Sequence, residues 1–200
     1  MRPPAALAGR LDVSRETGEK LAAYVALLEK WQTRVNLVSA STLPDIWSRH
    51  IWDSAQLVPL VPANTRRILD VGSGAGFPGL VLAALCDAEC HLVESDQKKA
   101  IFLQTVVREC GIPATIHTAR IESLPSLGAD IVTARALAPM DKLLDLLAHQ
   151  LTPASRCLFL KGAQAKSELA ALGTRPELSW ELTASLTNPA AFVVDLTVSS

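Results

Sequence analysis

The chain has few aromatic residues, no excess charge of either sign and no long apolar run. Aromatics make up 4% of its 200 residues, and only one is a tyrosine. No stretch reaches the roughly 18 consecutive apolar residues that a membrane-spanning helix requires. Met1 to Arg10 is rich in Pro and Ala without an apolar block, so neither a secretory leader nor a membrane anchor is expected there. The four cysteines, Cys86, Cys90, Cys110 and Cys157, form no Cys-x-x-Cys pair and have no histidine cluster beside them. That spacing argues against a zinc site or a disulfide framework and for free thiols in a reducing cytoplasm. Lys and Arg number 19 against 20 Asp and Glu, a formal net charge of -1. Any nucleic-acid contact must therefore come from a local patch of cations rather than from a basic whole. There is no internal repeat, and no low-complexity tract beyond the first residues.

What is present is core material. A hydrophobic fraction of 49% against 20% charged residues suffices for one domain, with or without a small extension. Residues 1–12 read as a lead-in. From Ser14, the recurrence of Leu21, Tyr24, Val25, Leu28, Trp31 and Val35 at three- and four-residue steps predicts an amphipathic helix. A second helix is expected over 44–58, capped by Ser41 or Thr42 and with Pro44 in its first turn. After Pro62 short apolar runs alternate with helical segments. Strands are expected at 66–71, 91–94, 114–118, 129–133 and 156–160, and helices at 80–85, 98–110, 140–150 and 164–172. Two last strands, 178–186 and 191–198, have no room for a helix between them and should form an antiparallel hairpin. The expected fold is α/β: a mostly parallel sheet covered on both faces, ending in that hairpin. Residues 1–62 would form an N-terminal helical extension, and 63–200 a core folding as one compact unit.

The most informative stretch runs Asp70-Val71-Gly72-Ser73-Gly74-Ala75-Gly76-Phe77-Pro78-Gly79. It leaves a buried strand and opens a helix. Glycines there allow a sharp turn and a close approach of a ligand to the main chain. The helix start would offer unpaired N–H groups to an anion. Glu94 ends the next strand about 20 residues on, where a carboxylate can accept hydrogen bonds from both ribose hydroxyls of an adenosine. Two registers compete. Gly74-x-Gly76-x-x-Gly79 matches the dinucleotide fingerprint. If the strand ends at Val71, however, the turn begins at Gly72 and Phe77 occupies the third position. The pattern acidic-x-Gly-x-Gly-x-Gly fits at Asp70, Gly72, Gly74 and Gly76. It resembles the first motif of class I, Rossmann-like S-adenosylmethionine methyltransferases, in which Asp70 would order the loop, often through water near the methionine part.

Ligands of open α/β sheets lie outside the carboxyl ends of the strands. Arg135 and Lys161 follow two such ends, and both should stand on the rim of one crevice, although each read alone could be a solvated loop charge. The backbone at Ile121 and Glu122, after the third strand, is placed to meet an adenine edge. Upstream, Arg49, His50 and Asp53 sit at helical spacing, with Arg49 and Asp53 able to pair at i, i+4. Read alone, that group is a surface ion pair worth little.

Together these residues resemble the bacterial small-subunit ribosomal RNA guanine-N7 methyltransferase G family (RsmG or GidB, glucose-inhibited division protein B). The resemblance is carried by Trp31 with Asn36-Leu37, Arg49-His50-x-x-Asp53-Ser54, Asp70 to Gly79, Arg120-Ile121-Glu122, Arg135-Ala136 and Leu160-Lys161-Gly162, and spans about residues 12 to 198. It implies a cytoplasmic, monomeric enzyme that uses S-adenosyl-L-methionine to methylate N7 of a guanine in the 530 loop of 16S rRNA, in the 30S subunit or its precursor. It implies cofactor contacts at Gly72, Phe77, Ile121, Glu122 and Arg135, to which ribose geometry adds Glu94, and the loop pattern adds Gly74 and Gly76. Arg135, Lys161 and His50 become the candidate positioning residues of catalysis. Arg135 would hold the cofactor carboxylate or a phosphate, Arg49 and Lys161 RNA phosphates, and His50 or Trp52 would stack on an extruded base. No metal is expected. A methyltransferase acting on a small molecule or protein, a nicotinamide-dependent oxidoreductase and a cofactor-binding protein without turnover stay open as rivals.

Overall fold

The computed structural model describes residues 13–173 and 175–199; the lead-in expected over 1–12 lies outside them. Helix α1, Arg15–Gln32, begins where the Ser14 hydroxyl accepts the Thr17 N–H at 3.1 Å, a side-chain N-cap. Its buried stripe of Leu21, Tyr24, Val25 and Leu28 follows the expected helical step. The helix expected over 44–58 is broken up. A 3-10 segment covers Ala40–Asp45 with Pro44 inside it, a π-helix covers Trp47–Trp52, one α-turn covers Asp53–Ala55, and a second 3-10 turn covers Val58–Leu60. The Asp53 N–H reaches the Ser48 carbonyl, five residues back, and the Ser54 hydroxyl takes the His50 carbonyl at 2.7 Å. π-Turns of this kind are rare and frequently found at functional sites. Thr42 does not cap; its hydroxyl shares a 2.8 Å hydrogen bond with His50 Nε2.

Among the described residues, seven strands form one sheet: β1 Arg67–Val71, β2 Glu89–Val93, β3 Thr115–His117, β4 Ile131–Arg135, β5 Arg156–Lys161, β6 Leu178–Ala184 and β7 Phe192–Val198. Their order is β3-β2-β1-β4-β5-β7-β6. The first five pair in parallel, and β7 runs antiparallel between β5 and β6, so the expected terminal hairpin is present. Helices α2 Gly79–Leu85, α3 Gln97–Cys110, α4 Met140–Leu147 and α5 Ala165–Ala171 lie between strands. Strand β4 sits two residues later than expected. Arg135 is thus its last residue, paired with Leu160, rather than the residue after it.

Alternation along β1 divides the core. Ile68 joins α1, Ile51, Leu57, Leu80 and Phe102 on one face; Leu69 and Val71 join Met140, Leu143, Cys157 and Phe159 on the other. Asp70 shares the Ile68 face, and there Gly79 at the start of α2 comes against it. A Cβ at position 79 would stand 2.6 Å from Asp70 Oδ2, 2.7 Å from Asp70 Cβ and 2.8 Å from Leu92 Cγ. Gly79→Ala is therefore expected to lower the unfolding free energy by about 2–3 kcal/mol through overpacking, read as a lower midpoint in urea at unchanged slope.

Candidate active site

The loop between β1 and α2 is held from every side. Gly72, Gly74 and Gly76 have φ of 66°, 57° and 96°, values that side-chain-bearing residues rarely adopt. The Gly72 and Ser73 amides donate to the Val93 carbonyl at 2.9 and 3.1 Å, tying the turn to the end of β2. The Ser73 hydroxyl donates to the Asp70 carbonyl at 3.0 Å, and the Gly76 N–H to the Ser73 carbonyl at 2.7 Å. Glu94, buried just past β2, accepts the Gly74 N–H at 2.8 Å and the Asp96 N–H at 2.7 Å. A Cβ on Gly74 would meet nothing closer than the Gly72 carbonyl at 3.8 Å, so its open side faces room for a ligand.

Asp70 works beneath the loop rather than at its lip. It is 1% exposed; Thr133 Oγ1 on β4 donates to its Oδ1 at 2.8 Å, and Oδ2 has no hydrogen-bond partner. Burial pushes its pKa up to about 6, against the pull of the Thr133 and Ser73 hydroxyls, the Gly79 amide and Arg135. The Gly79 amide faces this carboxylate without the alignment of a full hydrogen bond. The Leu80 N–H is taken by the Gly76 carbonyl at 2.8 Å. The helix start expected to receive a ligand's anion is thus engaged by the protein's own groups.

Beyond the ends of β4 and β5 lies a cleft of about 640 Å³ whose lining includes Arg49, His50, Asp53, Arg135, Lys161 and Phe192. It brings together the candidate cations and His50. The Arg135 guanidinium sits 5.0 Å above the Phe77 ring, 3.8 Å from Asp53 Oδ2 and 3.5 Å from the Arg49 carbonyl. The partner of Asp53 is therefore Arg135, not Arg49 as i, i+4 spacing suggested. The Asp53 Oδ1 atom accepts from Gln56, Ser185 and Thr187, fastening the β6–β7 turn to the N-terminal segment. Among the described residues, the exposed Arg49 guanidinium pairs with no carboxylate. Lys161 is buried, its ammonium donating to the Ala138 carbonyl at 2.6 Å and to Glu168 Oε2 at 2.7 Å. Glu168 Oε2 also accepts the Met140 N–H at 2.9 Å, so Lys161 braces the loop between β4 and α4.

His50 stacks on Phe77, with centroids 4.9 Å apart and an interplanar angle of 24°. That ring face is closed to an extruded base. Burial, then Arg135 and Arg49, push its pKa down to about 3, and its Nδ1 is buried without a partner. Trp52 lines a different hollow, with Ala84, Leu85 and Leu186, and is not at the cleft. Phe77 as a whole residue is 2% exposed, its ring closed in by His50, Tyr24 and Arg135, so the ring is taken by the protein's own groups. Ile121 and the exposed Glu122 open a 3-10 turn, whose first N–H groups have no intrahelical partner.

The glycine loop, Glu94 and the Ile121 turn follow the ends of β1, β2 and β3, outside the cleft. Leu137, 38% exposed, stands between the two regions: it lines the cleft, and its Cδ1 would lie 2.5 Å from a Cβ on Gly72. Sequence reasoning missed Leu137, Thr133, Glu168 and the phenol of Tyr24, whose hydroxyl donates to the Ala75 carbonyl. No local pattern marks these groups, because each acts across a long separation.

The His50 ring is expected to stay neutral from pH 8 to pH 5 in an ¹⁵N NMR titration of the folded protein. Its folded pKa lies below its unfolded value of 6.5, so the stability it contributes is complete above pH 6.5 and drains away as pH falls toward 3. A ring titrating between pH 6 and 7 would show that the packing around Phe77 is open.

A family model described as GidB, rRNA small subunit methyltransferase G, matches residues 17–188. The ribosomal RNA small subunit methyltransferase G of Paramagnetospirillum magneticum is 50% identical over 197 residues, covering 96% of this chain and 94% of that protein. The protein of the same name from Rhodospirillum centenum is 54% identical over 170 residues, covering 85% and 77%. Among solved structures, a cofactor-bound protein from MTB is similar with a TM-score of 0.69 at 16% identity, over 99% of this chain and 97% of that one. A SAM dependent methyltransferase from Aquifex aeolicus has a TM-score of 0.61 at 14% identity, over 78% and 93%. At such identities these structures speak for the fold alone, the Rossmann-like sheet of S-adenosylmethionine methyltransferases. The family match displaces the nicotinamide-dependent rival. The chain belongs to the rRNA small subunit methyltransferase G family.

Proposed function

We propose that the protein transfers a methyl group from S-adenosylmethionine to N7 of a guanine in the 530 loop of 16S rRNA, acting as a cytoplasmic monomer on the 30S subunit or its precursor. The observation that carries this reading is the place of Arg135. Its guanidinium lies over Phe77 of the glycine loop and also walls the cleft that holds Arg49, His50 and Lys161. One cation thus joins a nucleoside cradle to a substrate cleft.

The cofactor, when bound, supplies an electrophilic sulfonium methyl group. The backbone of Gly72, Gly74, Gly76 and Phe77 would hold it, with Arg135 near its carboxylate. Glu94 accepts two amide N–H groups, and a carboxylate has about four acceptor sites, so capacity is left for the ribose hydroxyls. The open amides at Ile121 and Glu122 suit an adenine edge.

Guanine N7 carries an in-plane lone pair and no proton, so its attack on a methyl group needs no general base. A neutral, stacked His50 fits that chemistry: it shapes the wall, and no proton has to be taken up by it during the transfer. Catalysis would rest on alignment, which can contribute about 7–11 kcal/mol. Arg49 is the exposed cation placed to meet an RNA phosphate, whereas Lys161 acts through the loop it braces.

Calorimetry should detect S-adenosylmethionine binding to the wild type, and Gly74→Asp should weaken it more than about 100-fold by setting a second carboxylate beside Glu94. Subunits purified from cells lacking the enzyme should gain one 7-methylguanosine, located in the 530 loop by nucleoside mass spectrometry and primer extension. Arg135→Ala should lower kcat/KM on those subunits by about 10²-fold. A methyl group on another nucleotide or on a protein would overturn the substrate, and absence of cofactor binding the whole reading.

A further inference from the structure

Tyr24 is the only tyrosine of the chain and is fully buried, 0% exposed, in the middle of α1. Its hydroxyl donates to the carbonyl of Ala75, 51 residues away inside the glycine loop. The ring is held by Phe77 at 5.3 Å and by Phe102 at 6.3 Å between centroids. A Cβ on Gly76 would come 2.9 Å from the hydroxyl oxygen, so the phenol and the loop backbone are in direct contact.

The peptide unit joining Ala75 to Gly76 is therefore held at both ends. Its carbonyl is taken by Tyr24, and its N–H by the Ser73 carbonyl at 2.7 Å. A peptide flanked by glycine can rotate as a plane, exchanging the directions of its N–H and C=O. Such a flip here would strand a buried phenol and a buried carbonyl, a cost of roughly 1–3 kcal/mol for each group left unpaired. The phenol thus selects one of two loop conformations. Burial pushes its pKa well above the ordinary value, so it stays a donor throughout the working pH range. A phenylalanine would fill the same apolar space, so packing alone does not account for the hydroxyl.

We propose that Tyr24 is a positioning residue for the methyl donor: from the N-terminal helix it locks the Ala75–Gly76 peptide and so keeps the glycine loop in its donor-binding shape. The inference rests on the cofactor part of the function above and is independent of the RNA target. It also makes α1 a component of the cofactor site rather than an accessory to it.

The test uses the full chain. Calorimetric titration with S-adenosylhomocysteine should give a Kd about five- to twentyfold weaker for Tyr24→Phe than for the wild type. The KM for the donor should rise by a similar factor, with kcat at saturating donor within about twofold. Phe102→Leu, which trims a ring packed on Tyr24 and Trp31 and has no hydrogen bond to the loop, should lower Tm without changing that Kd. Because the chain has one tyrosine, ¹³Cζ labelling gives a single resonance, which should shift on adding donor to the wild type even if Tyr24→Phe does not fold. An unchanged Kd in folded Tyr24→Phe, an equal weakening by Phe102→Leu, or an unmoved tyrosine resonance overturns the proposal while leaving the cofactor reading intact. A wild type that binds no donor overturns both.

Discussion

The Asp70 carboxylate lies out of water under the glycine loop, where the end of β1, Thr133 of β4 and the first turn of α2 converge. Its pKa, about 6 in the fold against 3.8 as an ordinary side chain, means the native state holds that proton more tightly than the unfolded chain. Its contribution to stability is therefore best below about pH 4 and declines as pH rises to about 6, a cost of roughly 3 kcal/mol at neutrality. Through that costly group the loop acquires a floor. Two strands and a helix are referred to one side chain, and only a glycine at position 79 leaves room for it. The left-handed turn at Gly72, Gly74 and Gly76 rests on this floor, and the Glu94 carboxylate is indexed to the turn through the Gly74 amide.

Much of this was legible in the residue order. The strand and helix alternation, the terminal hairpin, the glycine turn and the glutamate one strand over all follow from period-two and period-3.6 patterns and from glycine placement, which are local properties. The segment from residue 40 to 60 was not legible, for the converse reason. Its apolar spacing suits a regular helix, but the π-turn is set by distant partners: His50 against Phe77, and Asp53 against Ser185 and Thr187. Tyr24 shows the same limit from the other direction. Its place in an apolar stripe predicts burial correctly and says nothing of its hydroxyl. Lys161 was recognisable as a cation at a strand end, but its pairing with Glu168 depends on how α5 returns to the sheet.

The glycine loop and the cleft are distinct regions that meet at Phe77, Arg135 and Leu137. This division suits a reaction between two large partners. The glycine-loop half of the surface is built from strand ends and backbone, which change little with side-chain identity. The other half is walled by five stretches far apart in sequence: residues 37–42, the π-turn with Asp53, the loop following β4, the end of β5 with the start of α5, and the β6–β7 turn. Ala136 at φ 51° and the exposed Leu137 lie in the middle wall, and the Leu137 side chain reaches over Gly72.

The sheet order has a bearing on how the molecule is made. Strand β7 is threaded between β5 and β6, and Phe192 at its start lines the cleft. During synthesis β5 must wait with a naked edge until residues beyond 190 have left the ribosome, and only then can the turn carrying Ser185 and Thr187 clasp Asp53. The glycine loop and its floor need the chain only as far as Thr133 of β4, but the cleft, whose wall runs on to Phe192, is a late assembly.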